Sequence, residues 1–310
     1  MTPSVSSPSA PQRREPKPPW LKVRLAAGDT YAHLKGVLRE RQLVTVCEEA
    51  RCPNIGECWG GGTATFMLMG DTCTRGCRFC AVKTARKGQP LDPDEPAKIA
   101  EAVAAMNLDY VVLTSVDRDD LPDQGAQHFA DTIRAIKAAH PGIIVEVLIP
   151  DFQGNQTAMQ TLLEAQPEVI AHNLETVARL TRRVRDVRAT YQQSLDVLAW
   201  YKQQDPSRYT KSALMLGLGE SEAEVLGAMD DLRAVGTDIL TIGQYLQPTR
   251  KHLQVEHFVP PERFEALRVA GEAKGFLFIA SGPLVRSSYR AGEYFLKNTI
   301  ETQRREQAHD

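Results

Sequence analysis

Six apolar runs of strand length alternate with helix-like stretches through the middle of this chain, and that alternation narrows the fold more than any other feature. The runs are 65–69, 110–115, 143–149, 169–173, 212–216 and 239–244, with helical patterns between them near 93–106, 124–139, 155–165, 190–204 and 221–235. Repeated strand–helix units predict a parallel sheet with right-handed crossovers. The run Ile143-Ile-Val-Glu-Val-Leu-Ile149 is almost wholly apolar, as suits a strand covered on both faces. Ser221 and Glu224 form a capping box, Asp92 stands before Pro93 as a cap residue, and Gly236 follows the helix that ends near Val235. Alternation alone leaves an open sheet and a barrel both standing.

The placement of polar residues favours the barrel. They collect just after the runs: Thr114, Ser115 and Asp117 after the second, Asn173 and Glu175 after the fourth, Gly217 and Gly219 after the fifth, Gln244 and Tyr245 after the sixth. In a barrel these positions converge at the mouth formed by the carboxyl ends of the strands. The expected fold is therefore α/β, a partial (β/α)6 TIM-like barrel with N-terminal and C-terminal extensions. The expected division is a disordered tail over 1–19, an N-terminal extension over 20–62, the barrel over 63–245 and a C-terminal extension over 246–310. The last of these carries a helix near 261–273 and a short apolar run over 276–280.

Composition excludes several classes of function. At 310 residues and 42% hydrophobic, the chain can bury a full core. A net charge of −2 offers no basic face for nucleic acid. No apolar run approaches the 18 or so residues of a membrane span. The first 19 residues are rich in Pro and Ser without an apolar stretch, which argues against a secretory signal. A transit peptide is disfavoured because the prolines oppose an amphipathic helix, and the expected location is cytoplasmic.

All six cysteines fall in one short stretch, as two triplets. A disulfide framework would scatter them along the fold, so metal ligation is the stronger reading. Cys73, Cys77 and Cys80 read C-x3-C-x2-C directly after the first strand; Cys47, Cys52 and Cys58 read C-x4-C-x5-C ahead of it. Zinc sites favour paired C-x2-C motifs with four ligands. A loop triplet fits three corners of a [4Fe–4S] cluster better, with one iron left for something other than cysteine. The histidines, His172 included, are scattered and read as surface or capping residues. Arg182, Arg183 and Arg185 form a basic cluster that reads as a solvated helix face, or else as a docking point for an acidic carrier.

C-x3-C-x-aromatic-C in the loop after the first strand of such a barrel resembles the radical S-adenosylmethionine superfamily. The resemblance implies that Cys73, Cys77 and Cys80 hold a [4Fe–4S] cluster whose open iron chelates S-adenosylmethionine, cleaved there to a 5′-deoxyadenosyl radical. Phe79 takes the aromatic position, where packing over the cluster loop is the plain alternative. Superfamily members commonly end the second strand in Gly-Gly-Glu; here it ends Thr114-Ser115-Val116-Asp117, so contacts to the cosubstrate fall to other groups. Thr114, Ser115, Asn173 and Glu175 are the candidates. Gly217 and Gly219 could let backbone approach the cosubstrate.

A closer resemblance spans most of residues 40–295. It rests on Cys47, Cys52 and Cys58 followed by Trp59, on the stretches 114–125, 172–176 and 243–250, and on Arg286-Ser287-Ser288-Tyr289. Together these are similar to the lipoyl synthase family. The resemblance implies a second, auxiliary [4Fe–4S] cluster on the first triplet, with Ser288 as its fourth ligand and Ser287 as the fallback. An alkoxide mismatches a soft-ligand cluster and should leave readily. The implied reaction inserts two sulfur atoms at carbons 6 and 8 of a protein-bound octanoyl-lysine, with the auxiliary cluster as sulfur donor. The implied partners are octanoylated lipoyl carrier proteins (the glycine-cleavage H protein and the lipoyl domains of 2-oxoacid dehydrogenases), an electron donor such as ferredoxin or flavodoxin, and an iron–sulfur cluster carrier. Biotin synthase and methylthiotransferases also move sulfur, but lack the first triplet paired with the serine motif. A simple electron carrier has no use for an open iron inside a barrel.

Overall fold

A computed structural model of the chain describes residues 16–22, 29–41, 43–49, 54–55, 65–288, 296, 298–302 and 305. Helix α1 (Asp29–Glu40) leads to the short strand β1 (Val44–Thr45) and a single helical turn, α2 (Val46–Glu49). The repeating units follow. Strand β2 (Thr65–Leu68) precedes a small two-stranded ribbon, β3 (Thr72–Cys73) and β4 (Lys83–Thr84), and then α3 (Glu95–Ala105). Next come β5 (Tyr110–Ser115) with α4 (Ala126–Ala139), and β6 (Ile144–Leu148) with α5 (Gln156–Leu163). Strand β7 (Val169–Ala171) is followed by α6 (Thr181–Val184) and α7 (Tyr191–Gln204). Strands β8 (Tyr209–Leu216) and β9 (Ile239–Gln244) lead into α8 (Glu222–Ala234) and α9 (Pro261–Ala273), and β10 (Phe278–Gly282) closes the series.

The eight strands of the main sheet run in the order β1-β2-β5-β6-β7-β8-β9-β10. Every pairing is parallel except β1 with β2. β1 and β10 are the two edges and do not pair with each other, so the sheet curls as a partial barrel without closing. Strands β2, β7 and β9 are buried at every residue. Side chains on one face pack against the helices and those on the other fill the barrel, which is why the runs lack polar alternation. Phe129 and Ile133 of α4 and Leu162 of α5 are fully buried against one half of the sheet, and Met229 of α8 and Phe264 of α9 against the other.

The end of the barrel opposite the strand ends is plugged. Tyr110, Ile144, Val169 and Ile239, each the first residue of its strand, cluster with Leu296 and Ile300. Above them Lys211 Nζ donates to Glu146 Oε1 at 2.7 Å, and Tyr110 donates its hydroxyl to Glu146 Oε2 at 2.5 Å. With both charges 1% exposed, removing either partner would strand the other in the barrel.

Most elements fall where the pattern predicts. β5, β9 and α9 match to the residue. The capping box at Ser221 and Glu224 forms, and Gly236 takes a left-handed φ of +81° after α8. Two expectations need correction. The helix expected from 93 begins at Glu95, because Asp92 accepts the Asp94 N–H in a local turn and is not itself the cap. Strand β7 stops at Ala171, two residues short of the expected 173, where the chain breaks from β8 and rejoins it only at Glu175.

Candidate active site at the barrel mouth

The carboxyl ends of the strands surround one cavity of about 550 Å³. Cys73, Cys77, Phe79 and Cys80 line it from the loop after β2, Thr114, Ser115 and Asp117 from the end of β5, and Asn173 and Glu175 from beyond β7. Ser287 and Ser288 line the same cavity from the turn after β10. These eleven residues, far apart in sequence, thus meet at one mouth. Of the first triplet, Cys47 lies in α2, and Cys52 and Cys58 lie outside the described residues. Their neighbours Val46 and Asn54 line the cavity too.

The three thiols of the second triplet are free. Two of them accept backbone N–H groups, Cys73 Sγ from Arg75 at 3.4 Å and Cys77 Sγ from Asp186 at 3.3 Å. Burial pushes the Cys73 and Cys77 thiols up to about 12, with Asp117 adding to the effect on Cys73, and burial raises Cys80 as well. Three thiols outside any disulfide and facing one cavity, with backbone amides aimed at Cys73 and Cys77, fit the thiolate ligands of a [4Fe–4S] cluster. Loading iron there must release protons, since the buried site favours thiols.

A buried ionic network holds this loop in place. Arg75, between Cys73 and Cys77, is 3% exposed. It forks to Asp119 at 2.8 and 2.9 Å and to Asp151 at 2.7 and 2.8 Å, with Asp117 3.4 Å away. Burial opposes the guanidinium charge, but the two carboxylate forks overcome it and raise its pKa. Asp117, half-buried beside Cys73, is raised to about 6 by desolvation, against the pull of Arg75. The sequence offered no sign of this network beyond an arginine framed by cysteines.

The candidate cosubstrate contacts differ in what they can offer. Thr114 donates its hydroxyl to Leu148 O at 3.1 Å. Ser115 Oγ, Asn173 Oδ1 and Thr241 Oγ1 are buried on the cavity wall without a partner among the described residues. Such orphaned groups carry a desolvation cost that a polar ligand would relieve. Asn173 Nδ2 donates to Glu175 Oε1 at 3.1 Å. Glu175 adopts a left-handed φ of +69°, a strained backbone for a residue with a side chain. Burial raises its carboxyl, against the pull of Arg185 and Asn173.

Other residues take different places from those expected. His172 is buried on the cavity wall and is not a surface group. Its Nδ1 faces Ile149 O at 2.9 Å and must donate, because a carbonyl only accepts; Nε2 then accepts from Ser194 Oγ at 2.9 Å. Ser194 in turn accepts from Arg185 Nη1 at 2.7 Å. Arg185 therefore leaves the basic cluster and turns inward, while Arg182 and Arg183 stay exposed. The Gly217 and Leu218 N–H groups are spent on the Glu220 carboxylate, which removes them as cosubstrate contacts. Gln244 braces four backbone groups, at Leu216, Tyr245, His257 and Val259.

A family model described as the radical SAM superfamily matches residues 67–232. A second, described as the N-terminal domain of lipoyl synthase of the radical SAM family, matches residues 7–52. A lipoyl synthase from Anaeromyxobacter dehalogenans is 60% identical over 286 residues, covering 92% of this chain and 97% of its own length. The chain belongs to the lipoyl synthase family. A mitochondrial lipoyl synthase from Culex quinquefasciatus is 58% identical over 288 residues, covering 91% of this chain and 76% of its own. Among solved structures, methylornithine synthase superposes with a TM-score of 0.52 at 12% identity, covering 84% of this chain and 80% of that one. The Streptococcus suis protein SuiB bound to its precursor peptide gives 0.53 at 10% identity, over 74% and 52%. These two likenesses concern the fold alone. As a lipoyl synthase family member the chain is a radical S-adenosylmethionine enzyme, and no helix among its described residues is long and apolar enough to cross a membrane.

Proposed function

We propose that this cavity performs the reaction for which the family is named, inserting sulfur at carbons 6 and 8 of an octanoyl chain amide-linked to a carrier lysine. The observation that carries the reading is the meeting of Cys73, Cys77 and Cys80 with Ser287 and Ser288 across one cavity. Cys73, Cys77 and Cys80 would hold one [4Fe–4S] cluster, and Cys47, Cys52, Cys58 and Ser288 a second that serves as sulfur source. When bound, the clusters and S-adenosylmethionine supply the one-electron chemistry and sulfur that unactivated aliphatic carbons require.

The chain's own part is positioning. Arg75 holds the cysteine loop against the ends of β5 and β6 through Asp119 and Asp151. Ser115, Asn173 and Thr241 present polar atoms to the methionine or ribose of S-adenosylmethionine, with Phe79, Thr114 and Glu175 beside them. Met67, Val82, Leu148, Met215 and Leu246 give the cavity an apolar wall suited to an acyl chain. A volume of about 550 Å³ lies within the usual range for small-molecule sites. The partners proposed are octanoylated carrier domains, a low-potential electron donor and a cluster carrier that restores the spent cluster. Action in the cytoplasm is proposed with them, and the relatives named mitochondrial make the organelle the alternative that cell fractionation would reveal.

Two measurements test the reading. Anaerobic reconstitution should load about eight irons per chain, four per cluster; zinc, or only four irons with the first triplet intact, would contradict it. With an octanoyl-lysine peptide, Ser288→Ala should abolish sulfur insertion while S-adenosylmethionine cleavage persists. Equal loss of both would make Ser288 structural.

A further inference from the structure

The turn that presents the two serines is held at two points. After β10 the chain folds back, with the Val285 N–H donating to Gly282 O at 3.1 Å. On the barrel side this turn rests on Gly243, the β9 residue paired with Gly282. A Cβ at Gly243 would stand 2.0 Å from Val285 O and 3.3 Å from Arg286 Nη1. No side chain can occupy that space, so the missing Cβ is what lets the turn lie flat on the end of β9.

At the residue before Val285, Leu284 O accepts from Asn54 Nδ2 at 2.5 Å, joining residues 230 positions apart. Asn54 is 3% exposed and stands between Cys52 and Cys58, inside the first cysteine triplet. Asn54, Val285, Arg286, Ser287 and Ser288 all line the one cavity. Asn54 and the serine turn are remote in sequence, and this hydrogen bond ties them directly.

We propose that Asn54 and Gly243 form a two-point clamp on the serine turn, with Asn54 the positioning residue that holds Ser287 and Ser288 in place on the cavity wall. Gly243 fixes how closely the turn approaches the barrel, and Asn54 fixes it toward the N-terminal segment. A serine that is to bind and leave a metal must find the same place when it returns. A hydrogen bond on the neighbouring backbone keeps the turn in place while the hydroxyl is free. What the turn is held for rests on the reading of Ser288 given above; the clamp itself does not.

The test uses the full-length protein and the isosteric variant Asn54→Asp, whose carboxylate keeps the volume but cannot donate to a carbonyl. In the iron-free protein, amide hydrogen exchange across 284–288 should quicken roughly tenfold, the upper range for one lost hydrogen bond, with exchange in β5 and β9 unchanged. Unaltered exchange at 284–288 overturns the clamp. In the iron-loaded protein the ratio of sulfur-inserted product to 5′-deoxyadenosine should fall while S-adenosylmethionine cleavage holds; a parallel loss of both overturns the positioning role. Should Asn54→Asp fail to fold, Gly243→Ala attacks the clamp from the barrel side and must give the same local loosening. If Ser288→Ala does not uncouple the two activities but Asn54→Asp still loosens the turn, the serine reading fails and the clamp stands.

Discussion

Replacing Arg75 by methionine should cost about 3–5 kcal/mol of folding stability, the usual range for breaking a buried ion pair from one side. Four hydrogen bonds of 2.7–2.9 Å join its guanidinium to Asp119 and Asp151. Counting each at about 1.5–3 kcal/mol would give a much larger figure. That sum ignores the burial cost the guanidinium itself bears, which its removal returns. The residual penalty lies in the carboxylates left behind. Asp119 keeps Arg188 at 2.9 Å, but the Asp151 side chain is 0% exposed and loses its ion-pair partner. Burial alone would raise the Asp151 carboxyl, and the Arg75 bonds hold it below the usual range. In the parent it therefore adds stability above the unfolded carboxylate pKa of about 3.9, which is lost as pH falls through its lower folded value. Without Arg75 the balance reverses, the folded pKa rises, and the variant gains stability as protons bind. Urea unfolding of the iron-free proteins should show the full difference at pH 8 and a smaller one at pH 5. A loss under about 1 kcal/mol at pH 8, or a gap that widens toward pH 5, would refute the reasoning. Arg75→Lys should fall between, because an ammonium cannot fork to two carboxylates.

Burial, helped by Arg185, lowers the His172 ring to about 4, so it stays neutral near pH 7. The stability it confers is present above the unfolded pKa of about 6.5 and is lost as pH falls through 4. His172→Gln should flatten that part of the stability profile; an unchanged slope would mean the ring is not the group responsible. Arg182 remains exposed, so Arg182→Glu should raise the Michaelis constant for an octanoylated carrier protein and leave turnover of a short octanoyl peptide intact. An unchanged constant for the carrier would discard that docking point.

The fold was legible because its strands are short, apolar and punctuated. β5 and β9 could be bounded to the residue, since Ser115 and Gln244 mark where apolar side chains give way to the polar mouth. The cysteine loop was legible because ligand spacing is a local property. His172 was not. Nothing in its sequence neighbourhood tells a capping histidine from one that donates a hydrogen bond to Ile149 O and accepts one from Ser194. Arg185 was misread with Arg182 and Arg183 because three nearby arginines look alike until α6 ends at Val184 and the next residue turns inward.

By itself the sequence determined the alternation that makes a partial barrel and the Cys73, Cys77 and Cys80 triplet spaced for an open-iron cluster. These depend on periodicity and spacing, which short-range geometry imposes on any chain. Only the tertiary structure decided that Arg75 is held by three aspartates from the loops after β5 and β6, that Gly243 is bare because Val285 O lies where its Cβ would be, and that Asn54 reaches Leu284. Each is a contact between segments remote in sequence, set by how closely strands and turns pack, and packing distance leaves no mark on residue order.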